Sequence, residues 1–157
     1  MPPISERLFP VVQETYTSDD YYTPKWIFDA LGIVFDLDVA CPPQGPLHTP
    51  CSRYFTQKDD GLSCEWQGNV FMNPPFSKTN NWAYKFIGHK NGVCLVPTSK
   101  SKWFDSLWQD ADAVVALPYN LRFEGHNRGS IFIACAMFAY GAGNVKALKK
   151  SKIGRVR

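Results

Sequence analysis

The sequence contains no apolar run that is long enough to cross a membrane, which takes about 20 consecutive apolar residues. Residues 1–7 also lack the basic segment that precedes an apolar stretch in a secretory signal. We therefore expect a soluble protein that works in the cytoplasm.

Cysteine pairs with CxxC spacing are absent, and the cysteine count, 5, is odd. Free cysteine often behaves as a small buried apolar residue. The spacing of Cys41, His48, Cys51 and Cys64 fits no standard zinc finger or zinc ribbon. We expect neither a disulfide scaffold nor a metal site.

Basic residues are scarce in the first half of the chain, and acidic residues are scarce in the second. Residues 1–75 hold 4 Lys or Arg and 10 Asp or Glu, whereas residues 76–157 hold 13 Lys or Arg and 4 Asp or Glu. Cationic side chains suit a polyanion such as nucleic acid, because they release the counterions condensed on its phosphate backbone. The basic half is therefore expected to contact nucleic acid, although a solvated surface would carry the same charge.

A chain of 157 residues, of which 45% are hydrophobic, has the usual size of one domain. Residues 1–20 mix proline with polar and acidic residues without a sustained period, which predicts a flexible N-terminal arm. We place the folded domain at residues 21–142 and a basic C-terminal tail at residues 143–157. The tail is typical of segments that bind the phosphate backbone without reading bases.

Helix and strand patterns alternate along the domain. Helices are predicted at residues 24–31, around 82–87 and at 102–108, and strands at 35–39, 69–72, 92–97, 113–117 and 130–139. This alternation is typical of an α/β fold, with a mostly parallel sheet and helices on both faces. Ligands bind such sheets at the carboxyl ends of the strands, where Asp38 and Asn73 are both expected to lie.

The segment Asn73-Pro74-Pro75-Phe76 follows a predicted strand directly. Its prolines stiffen the backbone, so the Asn73 side-chain oxygen and the Pro74 carbonyl are aimed as two hydrogen-bond acceptors. Together they can bind both hydrogens of an exocyclic NH2 group while a methyl donor approaches its nitrogen, and they stabilise the developing charge. Phe76 offers a face on which a base swung out of a duplex can stack. The alternative is a stiff turn capped by asparagine.

Further motifs surround this segment. In chain order they are Thr23-Pro24, Asp38-Val39-Ala40-Cys41, Tyr54-Phe55-Thr56, Asp60-Gly61-Leu62, Trp66, Leu95-Val96-Pro97, Lys102-Trp103-Phe104 and Leu121-Arg122-Phe123. In this order and spacing the chain resembles the phage-type DNA N-6-adenine methyltransferases, a Dam-like family, from about Tyr22 to Phe138. The resemblance implies a compact Rossmann-like S-adenosylmethionine-dependent methyltransferase fold. It also implies a phage or prophage enzyme that methylates adenine N6 in double-stranded DNA within a bacterial host cell.

The resemblance further implies a cofactor site. Its residues would be Tyr22, Thr23, Pro24, Asp38, Ala40, Asp60 and Leu62. The first three would line the pocket for the methionine part of S-adenosylmethionine, Asp38 would lie near the amino group, and Asp60 would bind the cofactor adenine. The segment after Asp38 lacks the Gly-x-Gly turn of many nucleotide-binding loops. Glu65 or Asp59 is a weak candidate for the ribose.

Candidate DNA contacts follow the Asn73 segment. Arg122 and Phe123, with Asn120 just before them, are candidates to contact the flipped base or the partner strand. Lys100 and Lys102 are candidates to bind phosphates, with a solvated surface as the equal alternative.

The Asn73 segment recognises an NH2 group rather than adenine alone, so RNA adenine and cytosine N4 are alternative substrates. A protein glutamine amide is a further alternative substrate, but the basic charge of the second half argues against a protein substrate. A catalytically degenerate DNA-binding protein of the same fold is an alternative of a different class. No separate insert of the size that reads several base pairs is present, so recognition would depend on residues 119–130 or on the second subunit of a homodimer.

Overall fold

The computed structural model describes residues 21–117, 120–125 and 129–157, so the predicted N-terminal arm lies outside the described residues. The helices within these ranges are α1 (Lys25–Leu31), α2 (Thr79–His89), α3 (Lys102–Asp110) and α4 (Ala142–Ser151). The strands are β1 (Phe35–Asp38), β2 (Cys51–Tyr54), β3 (Val70–Met72), β4 (Gly92–Pro97), β5 (Ala113–Ala116), β6 (Leu121–Gly125), β7 (Gly129–Ile133) and β8 (Cys135–Tyr140). Among the described residues, no helix has the length and apolar character that a membrane crossing requires.

Six of these strands form one sheet in the order β2-β1-β3-β4-β8-β5. The first four in this order are parallel to one another, β8 is antiparallel to β4, and β5 is antiparallel to β8. Within this sheet, β8 alone therefore runs against the other five strands. The prediction of a mostly parallel sheet is confirmed.

Buried side chains divide between the two faces of the sheet. On β4, Val93 and Leu95 belong to the same apolar cluster as the buried residues of α1 and α4. Cys94 and Val96, which point the other way, belong to the cluster that contains the buried residues of α2 and α3. Alternation along the strand thus explains why helices cover both faces.

The order of the strands reverses direction between β1 and β3. These two strands are neighbours, but β2 lies on the far side of β1 and β4 lies on the far side of β3. The connections that follow β1 and β3 therefore diverge, which opens a crevice at the carboxyl ends of the strands. Asp38 ends β1 and Asn73 follows β3, so both lie at this crevice.

The apolar run 130–139, predicted as one strand, contains parts of two strands. β7 pairs with β6 in a separate two-stranded sheet, whereas β8 joins the main sheet. Between them, the Ala134 carbonyl accepts a hydrogen bond from Thr98 N over 2.9 Å. The change of partner cannot be predicted from the sequence pattern, because the apolar character of the run is continuous across it.

Residues 143–157, predicted as a basic tail, also differ from the prediction because they are folded onto the domain. Leu148 on α4 is fully buried, and Ile153 is 7% exposed. Val114 and Arg157 exchange two backbone hydrogen bonds of 2.8 Å, so the end of the chain lies along the β5 edge of the sheet. Apolar anchors among the lysines hold the segment in place, while most of the charged side chains remain exposed.

Candidate active site

Asn73, the first residue after β3, is oriented by a hydrogen bond from its own side chain. Asn73 Nδ2 donates to Thr23 Oγ1 over 3.0 Å, and Thr23 is buried. Because the amide nitrogen is engaged, Asn73 presents its amide oxygen, which has no donor among the described residues. An acceptor role for this oxygen remains a prediction, and the orientation is compatible with it.

A short 3-10 turn, Phe76–Lys78, fixes the other end of the segment 73–76, which we name the NPPF loop. Thr79 begins α2 there, and its Oγ1 donates to Phe76 O over 3.2 Å. The Phe76 ring is half-buried and meets the ring of Phe123 edge-on, with centroids 5.5 Å apart. Part of the Phe76 ring thus remains open to a ligand.

Phe123 does not reach the surface. Its side chain is 1% exposed, so a direct contact with DNA, as predicted for this residue, is at odds with its burial. The contact with Phe76 instead makes Phe123 a support for the NPPF loop. Arg122 is exposed on the opposite face of β6, because successive side chains of a strand alternate.

Asp38 is a buried carboxylate, with 3% of its surface exposed. Its Oδ1 accepts a hydrogen bond from Ala40 N over 3.2 Å. Burial raises the pKa of Asp38 to about 7, although hydrogen bonds from Ala40 and Thr49 act in the opposite direction. Within the described residues no cation pairs with it. A buried carboxylate without a counter-ion favours a cationic ligand.

A cleft of about 540 Å³ opens after β1, and we name it the β1 cleft. Its apolar wall includes Val39, Pro42, Pro43, Leu62, Pro75 and Trp82, and its polar positions include Thr56, Gln57, Asp60 and Lys78. Ala40, Asp60 and Leu62, three of the predicted cofactor residues, therefore line one cavity with Pro75 of the NPPF loop. The volume lies in the range of small-molecule sites.

Lys85 of α2 holds the loop of residues 60–66 in place through hydrogen bonds to its backbone. Lys85 Nζ donates to Leu62 O over 2.7 Å and also to Cys64 O. The same ammonium lies 5.1 Å from the centroid of the Trp66 ring, a cation–π distance. One side chain thus fixes a wall of the β1 cleft at several points.

The local backbone structure explains why aspartate and glycine occur at positions 60 and 61. A Cβ at position 61 would lie 2.2 Å from Val39 O and 2.9 Å from a Trp82 ring carbon, so only glycine fits. Asp60 has a φ of 53°, a left-handed conformation that aspartate tolerates better than most residues. Its Oδ2 accepts a hydrogen bond from Ser63 Oγ over 2.6 Å.

Tyr22, Thr23 and Pro24 are all buried and do not line the β1 cleft. Thr23 contacts Asn73, as described above. Tyr22 Oη donates to Gly45 O over 3.3 Å and so contacts the loop that follows β1. The structure places these residues behind the NPPF loop and the cleft wall, not in the cavity itself.

A second cleft, of about 550 Å³, lies between the NPPF loop and the loop after β4. Ser99 and Ser101 line it, and Lys100 between them is exposed, as is Lys102. Lys78 borders this cleft and the β1 cleft alike. Cations at this edge suit the predicted phosphate contacts, which remain predictions.

The two weak candidates for a ribose ligand are not supported by their positions. Asp59 Oδ2 accepts hydrogen bonds from the backbone and hydroxyl of Thr56, so its carboxylate closes a turn. Glu65 is exposed and does not line the β1 cleft. In the part of the chain that the structure describes, no three His, Cys, Asp or Glu side chains are grouped as metal ligands.

The sequence did not predict a role in the site for Lys78, Trp82 or Lys85. Trp82 and Lys85 are three positions apart on α2, so they project from the same side of the helix. That spacing, directly after the NPPF loop, shows only that the two side chains share one side of a helix. Without the fold, however, nothing shows that this side of α2 faces the loop 60–66.

Comparison with protein families finds one model, described as DNA N-6-adenine-methyltransferase (Dam), that matches residues 13–136. The matched range includes Thr23, Asp38, the loop 60–66 and the NPPF loop. No curated protein and no solved structure matches the chain. Because the family model covers most of the sequence and the motifs of the site, the chain belongs to the DNA N-6-adenine-methyltransferase (Dam) family.

Proposed function

We propose that this protein transfers a methyl group from S-adenosylmethionine to the N6 amino group of adenine in DNA. Family membership implies DNA adenine methylation. The observation that carries the proposal for this chain is the oriented amide of Asn73, whose oxygen is available at the carboxyl end of β3. The NPPF loop joins it to the β1 cleft through Pro75.

The β1 cleft fits the proposed cofactor in size and in chemistry. Its apolar wall suits the adenosine part, and in this proposal Asp60, which lines the cleft, accepts a hydrogen bond from the adenine amino group of the cofactor. Asp38 does not line the cleft itself, but it directly precedes Val39 and Ala40, which do. In this proposal its buried carboxyl group, which lacks a counter-ion among the described residues, lies near the cationic amino group of the cofactor. When bound, S-adenosylmethionine supplies an electrophilic methyl group.

In this proposal, Asn73 and Pro74 make the amino group of the target adenine more nucleophilic. An adenine amine is a weak nucleophile because its lone pair is delocalised into the ring. Acceptance of its two hydrogens by Asn73 Oδ1 and Pro74 O favours a tetrahedral nitrogen and stabilises the positive charge that develops there. The Thr23 contact keeps the Asn73 oxygen, rather than its nitrogen, turned toward this position.

The target adenine reaches the site only after it leaves the duplex, since its amino group is otherwise inside the base stack. In this proposal the open part of the Phe76 ring stacks against the flipped base, which contributes on the order of 1–3 kcal/mol. Arg122, Lys100 and Lys102 bind phosphates around the opened site. A phage or prophage origin, with the enzyme in the cytoplasm of a bacterial host, is part of the same proposal, as is a homodimer.

Calorimetry and methyl-transfer assays on two variants test this assignment. Asn73→Ala should bind S-adenosylmethionine and S-adenosylhomocysteine within about twofold of the wild-type protein, yet lose methyl transfer by about 100-fold or more. Asn91→Ala, an exposed asparagine at the opposite edge of the sheet, is the matched control and should retain both. Failure of the wild-type protein to bind either compound at millimolar concentration would favour a DNA-binding module without catalysis.

A further inference from the structure

Lys78 is shared by the β1 cleft and the second cleft. Leu62 and Trp82 also line both cavities, but their side chains are not charged. Among the residues that the structure describes, Lys78 is therefore the one charged residue common to the two clefts, and it is the only charged residue that lines the second. The charge of a ligand in either cleft thus acts on the same ammonium group.

The backbone of Lys78 is fixed, whereas its side chain is not. Lys78 N donates a hydrogen bond to Pro75 O over 3.0 Å, so the residue is held against the NPPF loop at the start of α2. The side chain is exposed, and its ammonium group has neither an ion pair nor a hydrogen bond within the described parts of the chain. Its flexible four-carbon stem lets this group lie over one cleft or the other.

An unpaired cation at this position is unfavourable for the proposed cofactor. The sulfonium of S-adenosylmethionine must approach the NPPF loop, because its methyl group is transferred to an amine that Asn73 binds. Two positive charges are then brought together beside Pro75, and they repel each other. S-adenosylhomocysteine lacks the sulfonium charge and is not disfavoured in this way. An anionic ligand in the second cleft explains the lysine better than the cofactor does.

The second cleft suits such an anion. No acidic residue lines it in the described part of the chain, and the hydroxyl and amide side chains around the lysine include Asn80, Asn81, Thr98, Ser99 and Ser101. Side chains of these types donate hydrogen bonds to phosphate oxygens, and lysine supplies a positive charge. Phe76, on which the flipped base stacks in the proposed function, also lines this cleft. The nearest anion of the substrate is then a backbone phosphate of the target strand.

We propose that Lys78 binds a backbone phosphate of the target strand in the second cleft and, by leaving the β1 cleft, links DNA binding to the charge of the cofactor. Without DNA, its ammonium group weakens the binding of S-adenosylmethionine relative to S-adenosylhomocysteine. With DNA bound, the phosphate holds the ammonium group in the second cleft, and this disadvantage is lost. By reciprocity, DNA binds more tightly to the complex with S-adenosylmethionine, so methyl transfer promotes release of the DNA. The inference rests on the proposed function, because it takes the β1 cleft as the cofactor site.

Calorimetry in the Asn73→Ala background tests this link, because that variant is expected to bind the cofactor without turnover even when DNA is present. The quantity compared is the Kd for S-adenosylmethionine divided by the Kd for S-adenosylhomocysteine. Without DNA, Lys78→Met should lower this ratio on the order of fivefold, whereas with saturating duplex DNA it should leave the ratio unchanged. Lys78→Arg keeps the charge and should keep the ratio of the background. Lys58→Met, at an exposed lysine that lines neither cleft, is the matched control and should change nothing.

Binding of labelled duplex DNA at several salt concentrations tests the phosphate contact without any cofactor. Lys78→Met should reduce the slope of log K against log salt by about 1, and Lys58→Met should leave the slope unchanged. An unchanged slope in Lys78→Met would overturn the phosphate contact. A ratio of cofactor affinities that ignores Lys78→Met, or that falls equally with and without DNA, would overturn the link between the clefts.

Two patterns of results separate this inference from the proposed function. If neither cofactor form binds but Lys78→Met still reduces the salt slope, the proposed function fails together with the link, and the phosphate contact stands. If both forms bind and the wild-type protein methylates DNA, while the slope and the ratio ignore Lys78→Met, the proposed function stands and this inference fails.

Discussion

At the residue scale, the orientation of a single amide decides whether the site can bind an amino group. An asparagine presents either an oxygen or an NH2 group to its ligand, and only the oxygen can accept a hydrogen bond from an amine. The hydroxyl of Thr23, which accepts from Asn73 Nδ2, selects the first arrangement. Thr23 is therefore a positioning residue in the proposed mechanism.

Replacement of Thr23 tests this role. Thr23→Val removes the acceptor but keeps the shape, so Asn73 loses its preferred orientation and kcat should fall about tenfold, the value of one hydrogen bond. Cofactor affinity, measured by calorimetry, should change less than about twofold, because Thr23 does not line the β1 cleft. Thr23→Ser keeps the hydroxyl and should restore most of the lost rate. A loss of cofactor affinity equal to the loss of kcat would contradict the assignment.

The raised pKa of Asp38 predicts that the stability of the fold depends on pH. Burial raises its pKa from 3.8 to about 7, so between these values the folded chain keeps a proton that the unfolded chain releases. The free energy of unfolding should therefore fall as pH rises from about 4 to 7, by at most about 1.4 kcal/mol per pH unit, and level off above that range. Asp38→Asn should lack this dependence in urea denaturation. An Asp38→Asn profile parallel to that of the wild type would show that another group is responsible.

At the element scale, the loop 60–66 shows how one wall of the β1 cleft is held in place through its backbone atoms. Gly61 allows the loop to approach β1, and Lys85 binds its carbonyl oxygens from α2. The loop has no regular secondary structure of its own to hold it. Its position therefore depends on these contacts.

Lys85→Met provides the corresponding prediction. Methionine keeps most of the side-chain length but cannot donate to Leu62 O or Cys64 O, so the loop should loosen. We expect the KM for S-adenosylmethionine to rise about five- to tenfold with kcat nearly unchanged, since the NPPF loop is intact. Lys90→Met, which removes an exposed lysine of the ion pair with Asp110, is the matched control. A fall in kcat at unchanged KM would contradict this account of Lys85.

Regular elements with a strong apolar period could be predicted from the sequence. β1, β3, β4, β5 and the first three helices lie close to their predicted positions. β2 was not predicted, because Cys51–Tyr54 is largely exposed at the sheet edge and has no apolar alternation. The β6–β7 hairpin was missed for a different reason, since partner choice between strands is a tertiary property.

The candidate site was predictable to a similar extent. Ala40, Asp60 and Leu62, which were selected by motif order, line one cleft, and their role in cofactor binding stays a prediction. Burial could not be predicted at Phe123, because its strand has a covered face that only the folded chain reveals. Lys85 was missed because its partners are backbone carbonyls, which carry no signal in a sequence.

At the scale of the whole molecule, the charge division of the sequence becomes a division in space. Residues 1–75 supply β2, β1 and β3 on one side of the sheet, and residues 76–157 supply β4, β8 and β5 on the other. The acidic half therefore borders the proposed site for a cationic cofactor. The basic half carries the hairpin, the loop after β4 and α4.

The lysines of α4 give a prediction at this scale. Lys146, Lys149 and Lys150 are exposed on one folded helix, so they can act together on a phosphate backbone. Their joint replacement by alanine should weaken binding to duplex DNA of any sequence and reduce the slope of log K against log salt by about 2 to 3. Lys25→Ala, in the acidic half, should leave that slope unchanged. An unchanged slope in the triple variant would identify the α4 lysines as a solvated surface.

Transfer of a methyl group to adenine N6 in DNA is best measured in a host that lacks DNA methylation. Wild-type protein and Asn73→Ala are expressed there, and DNA and RNA are digested separately for nucleoside mass spectrometry. We expect N6-methyladenine in the DNA of cells that express the wild type and none in cells that express Asn73→Ala. Methylated nucleosides confined to RNA, N4-methylcytosine in place of N6-methyladenine, or equal methylation by Asn73→Ala would contradict it.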